Sequence, residues 1–128
     1  MKHPITTLLA GLALALGTAT AHAADNHGDH KPLHGGFVSE AAHLDFELVA
    51  APGQISLYVR DHAKPVAIDG ASAKLTLLNG KDKTEAQLQP AGDHLRAHGE
   101  FKVAPGTKAV AAVTLPGKKP INVRFALK

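Results

Sequence analysis

Apolar and polar residues alternate in several short segments between Phe37 and Lys128. The clearest of these segments are HLDFELV, ISLYVRD, KLTLL and INVRFAL, which begin at positions 43, 55, 74 and 121. Alternation with a period of two puts the apolar side chains on one face and the polar side chains on the other. This is what a half-buried antiparallel strand requires, so the pattern predicts β-strands.

Turn residues separate the alternating segments. Pro52-Gly53 follows the first long segment, and Asn79-Gly80 suits a tight hairpin in which φ must be positive. The predicted strands lie near residues 37–39, 43–50, 54–61, 64–69, 73–78, 83–89, 94–102, 107–115 and 120–127. The shortest of these segments are not expected to form strands, so about seven strands are predicted. Short strands separated by turns at intervals of roughly ten residues are typical of β-sandwiches. We therefore expect residues 37–128 to form an all-β, antiparallel, immunoglobulin-like sandwich.

The N-terminal segment has the pattern of a secretory signal peptide. Lys2 and His3 precede an apolar run (ITTLLAGLALAL), and Ala21-His22-Ala23 fits the signal-peptidase rule. A membrane anchor is the alternative, but a spanning helix needs roughly 20 apolar residues. We expect residues 1–23 to be removed, residues 24–36 to form a flexible His/Asp-rich tail, and the mature protein to be periplasmic and not embedded in the membrane.

Composition excludes several classes of chemistry. The chain has no cysteine, and its one methionine is Met1, so the processed protein would lack the soft sulfur ligands that suit Cu(I). The formal net charge is +3, with no basic block and few aromatic residues, which argues against nucleic acid as a partner. No nucleophile elbow, phosphate-binding loop or dinucleotide motif is present, so the sequence does not predict an enzyme.

The candidate chemistry lies in DNHGDHKPLHGG, residues 25–36, which is too rich in glycine and proline for a regular element. His27, His30 and His34 supply imidazoles. Asp25 and Asp29 could add oxygen ligands. Neutral imidazole suits divalent Zn, Cu, Ni and Co, and a short histidine-rich tract is typical of metal binding. The alternative is a polar tail whose histidines have no specific role.

The cleavage site adds one further alternative. Removal of Ala24 as well would leave Asp25-Asn26-His27 at the N-terminus, where the amine, two amides and the imidazole can hold Cu(II) or Ni(II) in a square plane. The signal-peptidase rule favours cleavage after Ala23, which spoils this chelate.

The other histidines carry weaker signals. His43 and Asp45 share one face of a predicted strand, which we interpret as the solvated face that alternation requires. His94 and His98 are about 13 Å apart on an extended strand, too far to chelate one ion, and are interpreted as surface residues. Asp61-His62 ends a strand and forms either an Asx-type turn or one wall of a site near the tail.

The segments HGGFVSEAAHLDFELVAAPGQISLYVRDHAKPV, GASAKLTLLNG and LPGKKPINVRFAL resemble a group of small exported bacterial proteins. That group is associated with heavy-metal efflux systems of the resistance-nodulation-division type, and similar domains precede some periplasmic adaptor subunits of those pumps. The resemblance covers about residues 34–128. It implies a periplasmic β-domain that meets metal ions, and it points to His34, Gly35, Gly36, Asp61 and His62.

Two functions follow as expectations. The first is periplasmic binding of a divalent transition metal by the tail histidines, to buffer the ion or deliver it to an efflux complex. The second is a non-enzymatic interaction module that docks on an envelope partner through a sheet edge and has no specific metal site.

Overall fold

The structure, a computed structural model, describes residues 31–128. The predicted signal peptide and residues 24–30 of the predicted tail lie outside this range. The described residues contain nine strands and no helix. The strands are β1 (Phe37–Ala41), β2 (Leu44–Ala51), β3 (Gln54–Asp61), β4 (Lys64–Pro65), β5 (Ser72–Asn79), β6 (Asp82–Ala91), β7 (His94–His98), β8 (Lys108–Thr114) and β9 (Ile121–Ala126).

All strand pairs are antiparallel, in the order β1-β2-β3-β7-β6-β5-β8-β9, with β4 paired to β3. The two ends of this order, β1 and β9, lie beside each other, so the sheet nearly closes into a barrel. The prediction of an all-β, antiparallel fold is confirmed. The strand count of about seven is wrong, because the short segments at 37–41 and 64–65 do pair with their neighbours. An immunoglobulin-like sandwich is not confirmed.

The apolar faces of the strands meet inside this curved sheet. In β2 the buried apolar residues are Leu44, Phe46 and Leu48, and β3 contributes Ile55, Leu57 and Val59. The alternation also holds in β8, where Ala109, Ala111 and Val113 are buried. Removing such apolar surface from water is the main stabilising contribution to the fold.

The outer face of β2 and β3 departs from the predicted pattern. Asp45, Glu47 and Arg60 are only 5%, 0% and 3% exposed, although alternation predicts a solvated face. For Glu47 and Arg60 the reason is that residues 31–36, which we call the strap, lie against this face and hydrogen-bond to it. The strap has no regular secondary structure, as its glycine and proline content predicts.

Two of the histidines lie in tight turns. His43 joins β1 to β2 with a φ of 64°. The prediction that it shares a strand face with Asp45 is therefore wrong. His62 joins β3 to β4 with a φ of 49°. Both turns put two successive residues at positive φ, which matches the right-handed twist of the flanking strands.

Within residues 31–128 there is no helix long and apolar enough to cross a membrane.

Candidate functional site

The candidate site is built around the buried carboxylate of Glu47, on the outer face of β2. Its Oε2 accepts hydrogen bonds from the backbone amides of His34 (2.7 Å) and Gly36 (3.0 Å). Its Oε1 accepts a hydrogen bond from the amide of Leu33 (3.0 Å). One side chain on the sheet therefore satisfies three backbone donors of the strap, and hydrogen bonds to an ionised acceptor are stronger than neutral ones.

Arg60, on β3, holds the beginning of the strap. Its Nη1 lies 3.4 Å from Oε1 of Glu47, and its Nη2 donates a hydrogen bond to the carbonyl oxygen of Lys31 (2.9 Å). Its Nε is buried and has no hydrogen-bond partner in the described chain. Arg60 thus connects the strap to Glu47, and it supplies the positive charge that a buried carboxylate requires.

Glycine allows the strap to approach β2 closely. A Cβ at Gly36 would overlap the backbone carbonyl oxygen of Leu48 and press on the side chain of Val49. Gly35 has a φ of 73°, where residues with a side chain are strained. The Gly35-Gly36 pair therefore lets the backbone turn and lie flat against the strand that carries Glu47.

Three aromatic rings form a row beside the Glu47 carboxylate. His34, from the strap, stacks on Tyr58 of β3 with ring centroids 3.6 Å apart and an interplanar angle of 12°. Tyr58 also stacks with His94 of β7 at 4.7 Å and 29°. The strand register explains this row: Glu47 pairs with Tyr58, and His94 lies one step beyond the pair Leu57–Leu95.

A second carboxylate lies at the far end of this row. Oδ1 of Asp93 is 2.8 Å from Nδ1 of His94. Because an ionised carboxylate can only accept, this contact places a proton on Nδ1 and fixes the tautomer of a neutral His94. The site therefore combines a row of three stacked rings with two carboxylates, those of Glu47 and Asp93.

The surroundings shift three pKa values. Burial raises the pKa of Glu47, but the amides of Gly36, Leu33 and His34 lower it by more, so the net pKa is below its usual value. Burial raises the pKa of Tyr58, and the charges of Asp93 and Glu47 raise it further against an opposing effect of Arg96. The hydrogen bond from His94 lowers the pKa of Asp93. The site thus favours ionised carboxylates beside a neutral phenol.

The structure brings together only some of the predicted ligands. His34 is exposed, and it is fixed through its backbone to Glu47 and through its ring to Tyr58. Asp61 and His62 are exposed at the β3–β4 turn, with 3.5 Å between Oδ1 and Nε2. Asp25, His27, Asp29 and His30 lie outside the described residues. Among residues 31–128 there is no group of three or more acidic or histidine side chains that could hold a metal ion.

The sequence pattern did not predict that Glu47, Tyr58, Arg60 and His94 belong to one site. The alternation did put the first three on the outer faces of adjacent strands, and the Pro52-Gly53 turn sets their register. An acid, a base and an aromatic residue sharing one face was the available signal. The segment that covers them lies 11–14 residues before Glu47 in the sequence. It has no periodicity that could reveal this contact.

Comparisons with protein families, with curated proteins and with solved structures find no match. The geometry of the site and the sequence therefore carry the functional argument.

Proposed function

We propose that the protein binds a divalent transition-metal ion, Zn, Cu(II), Ni or Co, in the periplasm. The ligands are His27, His30 and His34, with Asp25 or Asp29 adding an oxygen donor. The protein then buffers the ion or delivers it to a heavy-metal efflux complex. The density of imidazoles and carboxylates in residues 25–34 supports the binding, and the resemblance to exported efflux-associated proteins supports the delivery.

The observation that carries the proposal is the way His34 is held. The stack on Tyr58 uses the face of the imidazole ring, whereas the nitrogen lone pair that binds a metal lies in the ring plane. No residue in the range 31–128 hydrogen-bonds to either ring nitrogen of His34. A ligand that is oriented in advance loses less entropy on binding, so His34 is suited to begin the chelate.

The strap begins beside β3, the strand that ends at Asp61. Arg60 holds the carbonyl of Lys31, the residue that follows His30, and Arg60 immediately precedes Asp61. We propose Asp61 and His62 as further donors.

Binding and release occur by ligand exchange at neutral imidazoles. An imidazole binds the metal only in its neutral form, so protons compete with the metal and the affinity falls as the solution is acidified. Nitrogen and oxygen donors without a thiolate suit a borderline divalent ion that must be handed on.

The decisive experiment replaces only the imidazoles. Deleting residues 25–34 would also remove partners of Glu47, so the test variant is the triple substitution His27→Ala, His30→Ala and His34→Ala. The matched control carries His43→Ala and His98→Ala, two histidines outside the proposed ligand set. Calorimetry with each of the four ions at pH 7.5, repeated near pH 5, measures the affinity.

We expect the wild type and the control to bind at least one ion with micromolar or tighter affinity at pH 7.5. The triple variant is expected to lose that binding, and the wild type to lose it near pH 5. Equal affinity in the triple variant, or a wild type that ignores all four ions, would refute the proposal.

A second candidate function is docking on an envelope partner. The observation that favours it is β9, which pairs with β8 alone in the described sheet and has a groove on each side.

A further inference from the structure

The surface around β9 carries two adjoining grooves. One, of about 440 Å³, lies between the strap and β1 on one side and β9 on the other. The second, of about 320 Å³, lies over β5, β8 and β9. Arg124, Phe125 and Ala126 line both, so the grooves form one concave surface across β9, which we call the β9 surface.

The charged side chains on the β9 surface are all positive. Lys128 lines the first groove, Lys108 the second and Arg124 both, and no aspartate or glutamate lines either. Within residues 31–128, neither Lys108 nor Arg124 forms an ion pair with a carboxylate.

Three other lysines of the described chain pair with carboxylates. Lys74 and Lys83 both contact Glu85, and Lys102 contacts Asp82. The β9 surface therefore keeps positive charge that a binding partner can neutralise.

The floor of the second groove is apolar. Leu78 is 38% exposed, and with the exposed Leu33 it makes up the exposed large hydrophobic residues of the described chain. The strand register puts Leu78 opposite Lys108, and Val110 opposite Arg124. Each cation thus lies beside an apolar residue, an arrangement that fits a partner whose carboxylates alternate with apolar side chains.

We infer that the β9 surface binds an extended acidic peptide segment of a partner protein. Carboxylates of the segment pair with Lys108 and Arg124, and an apolar side chain enters the groove beside Leu78. Because β1 lies beside β9, the peptide occupies the two grooves and does not pair with the edge of β9. The inference deepens the docking function and does not depend on a bound metal.

Charge and shape together favour this occupant over the alternatives. An anionic bilayer meets cations on a flat or convex surface, whereas these cations border grooves large enough to receive side chains. A second copy of the chain would have to bring carboxylates to the same place.

The test uses the processed protein in the presence of a chelator and a short synthetic peptide of alternating glutamate and valine. A second peptide, with lysine in place of glutamate, controls for nonspecific binding. Amide chemical shifts measured during titration locate the peptide and give its affinity. The variant carries Lys108→Glu and Arg124→Glu, and the matched control carries Lys118→Glu and Lys119→Glu, an equal charge change in the exposed β8–β9 turn.

We expect the acidic peptide to shift amides of β8 and β9, and its affinity to fall as salt is added. The double variant should bind at least tenfold more weakly, whereas the control should stay within twofold. If the double variant does not fold, Lys108→Gln with Arg124→Gln replaces it. The salt dependence of the wild-type affinity for the peptide needs no variant and tests the charge interaction by itself.

Three results would overturn the inference. The first is equal weakening in the control variant. The second is a higher affinity of the β9 surface for phosphatidylserine vesicles than for the peptide. The third is a dimer in solution that buries β9 and excludes the peptide. None of these results bears on metal affinity, so failure here is distinguishable from failure of the metal proposal.

Discussion

The carboxylate of Glu47 lies 3.4 Å from the guanidinium of Arg60, and the side chains of both residues are buried beneath the strap. A pair of this kind is costly to break, because the remaining partner keeps its charge in a place that water does not reach. The two members of this ion pair also hold the strap. Glu47 accepts three hydrogen bonds from strap amides, and Arg60 donates one to the carbonyl oxygen of Lys31.

Replacing Glu47 by glutamine should detach the strap and destabilise the fold. The amide keeps the shape of the side chain but loses the charge and one acceptor, which leaves Arg60 uncompensated. We expect a loss of about 2–4 kcal/mol in the free energy of unfolding, measured by urea denaturation. Hydrogen exchange should show faster exchange at the amides of Leu33, His34 and Gly36.

The control for this substitution is Glu85→Gln. Glu85 is an exposed residue that contacts Lys74 and Lys83 on the surface, where ion pairs contribute little. An unfolding midpoint that is the same in Glu47→Gln as in Glu85→Gln, with the strap amides still protected, would contradict the role assigned to Glu47.

The contribution of Glu47 to stability should depend on pH. Its pKa is lower in the folded protein than in the unfolded chain, because the strap amides bind the ionised form. The stabilisation is therefore complete at pH values above the unfolded pKa of about 4.3, and it is lost as the pH falls through that value toward the folded pKa. The stability difference between wild type and Glu47→Gln should be large at pH 7 and shrink below about pH 4. A difference that stays constant from pH 7 to pH 3 would exclude this linkage.

Adding one methyl group at Gly36 should have a larger effect than its size suggests. The Cβ of Gly36→Ala would overlap the Leu48 carbonyl oxygen, so the strap or β2 must move. We expect a loss of about 1–3 kcal/mol in the free energy of unfolding, as for overpacked sites.

Gly53→Ala is the matched control for Gly36→Ala. A Cβ at Gly53 meets nothing within 4 Å, and its φ is not left-handed, so alanine there should be neutral or slightly stabilising. Thermal or urea unfolding of the two variants tests the sign directly. Equal stabilities of the two alanine variants would show that the overlap between position 36 and the Leu48 carbonyl oxygen is relieved without loss of stability.

The phenol of Tyr58 should ionise at unusually high pH. Burial, the Asp93 carboxylate and the Glu47 carboxylate all raise its pKa above the ordinary value of about 10. Tyr58 is the chain's one tyrosine, so the alkaline ultraviolet absorbance change measures this ionisation without assignment. The midpoint should fall in Asp93→Asn and stay at the wild-type value in Asp69→Asn, a matched change on a residue that does not contribute to the shift. A wild-type midpoint at or below 10 would contradict the placement of the ring.

Much of the fold follows from local patterns in the sequence. The alternation of Leu44, Phe46 and Leu48 determines which face of β2 is buried, and the Pro52-Gly53 turn determines the register of β2 against β3. Near-closure of the sheet does not follow from such patterns, since it depends on twist and stagger accumulated over all the strands.

The site could be predicted only in part, for a different reason. His34 and the two glycines after it stand out by composition, but their partner Glu47 looks like an ordinary outer-face residue of an alternating strand. A segment without periodicity gives no sign of where it docks. The buried, charged outer face is a tertiary effect, produced by contacts between residues far apart in sequence.

The stack of His34 on Tyr58 gives the protein an intrinsic optical reporter. The chain has one tyrosine and no tryptophan, so its ultraviolet emission comes from the ring against which the strap rests. Lifting of the strap, or coordination of an ion by His34, changes the surroundings of that single fluorophore. Both events can therefore be followed in real time on the unlabelled molecule.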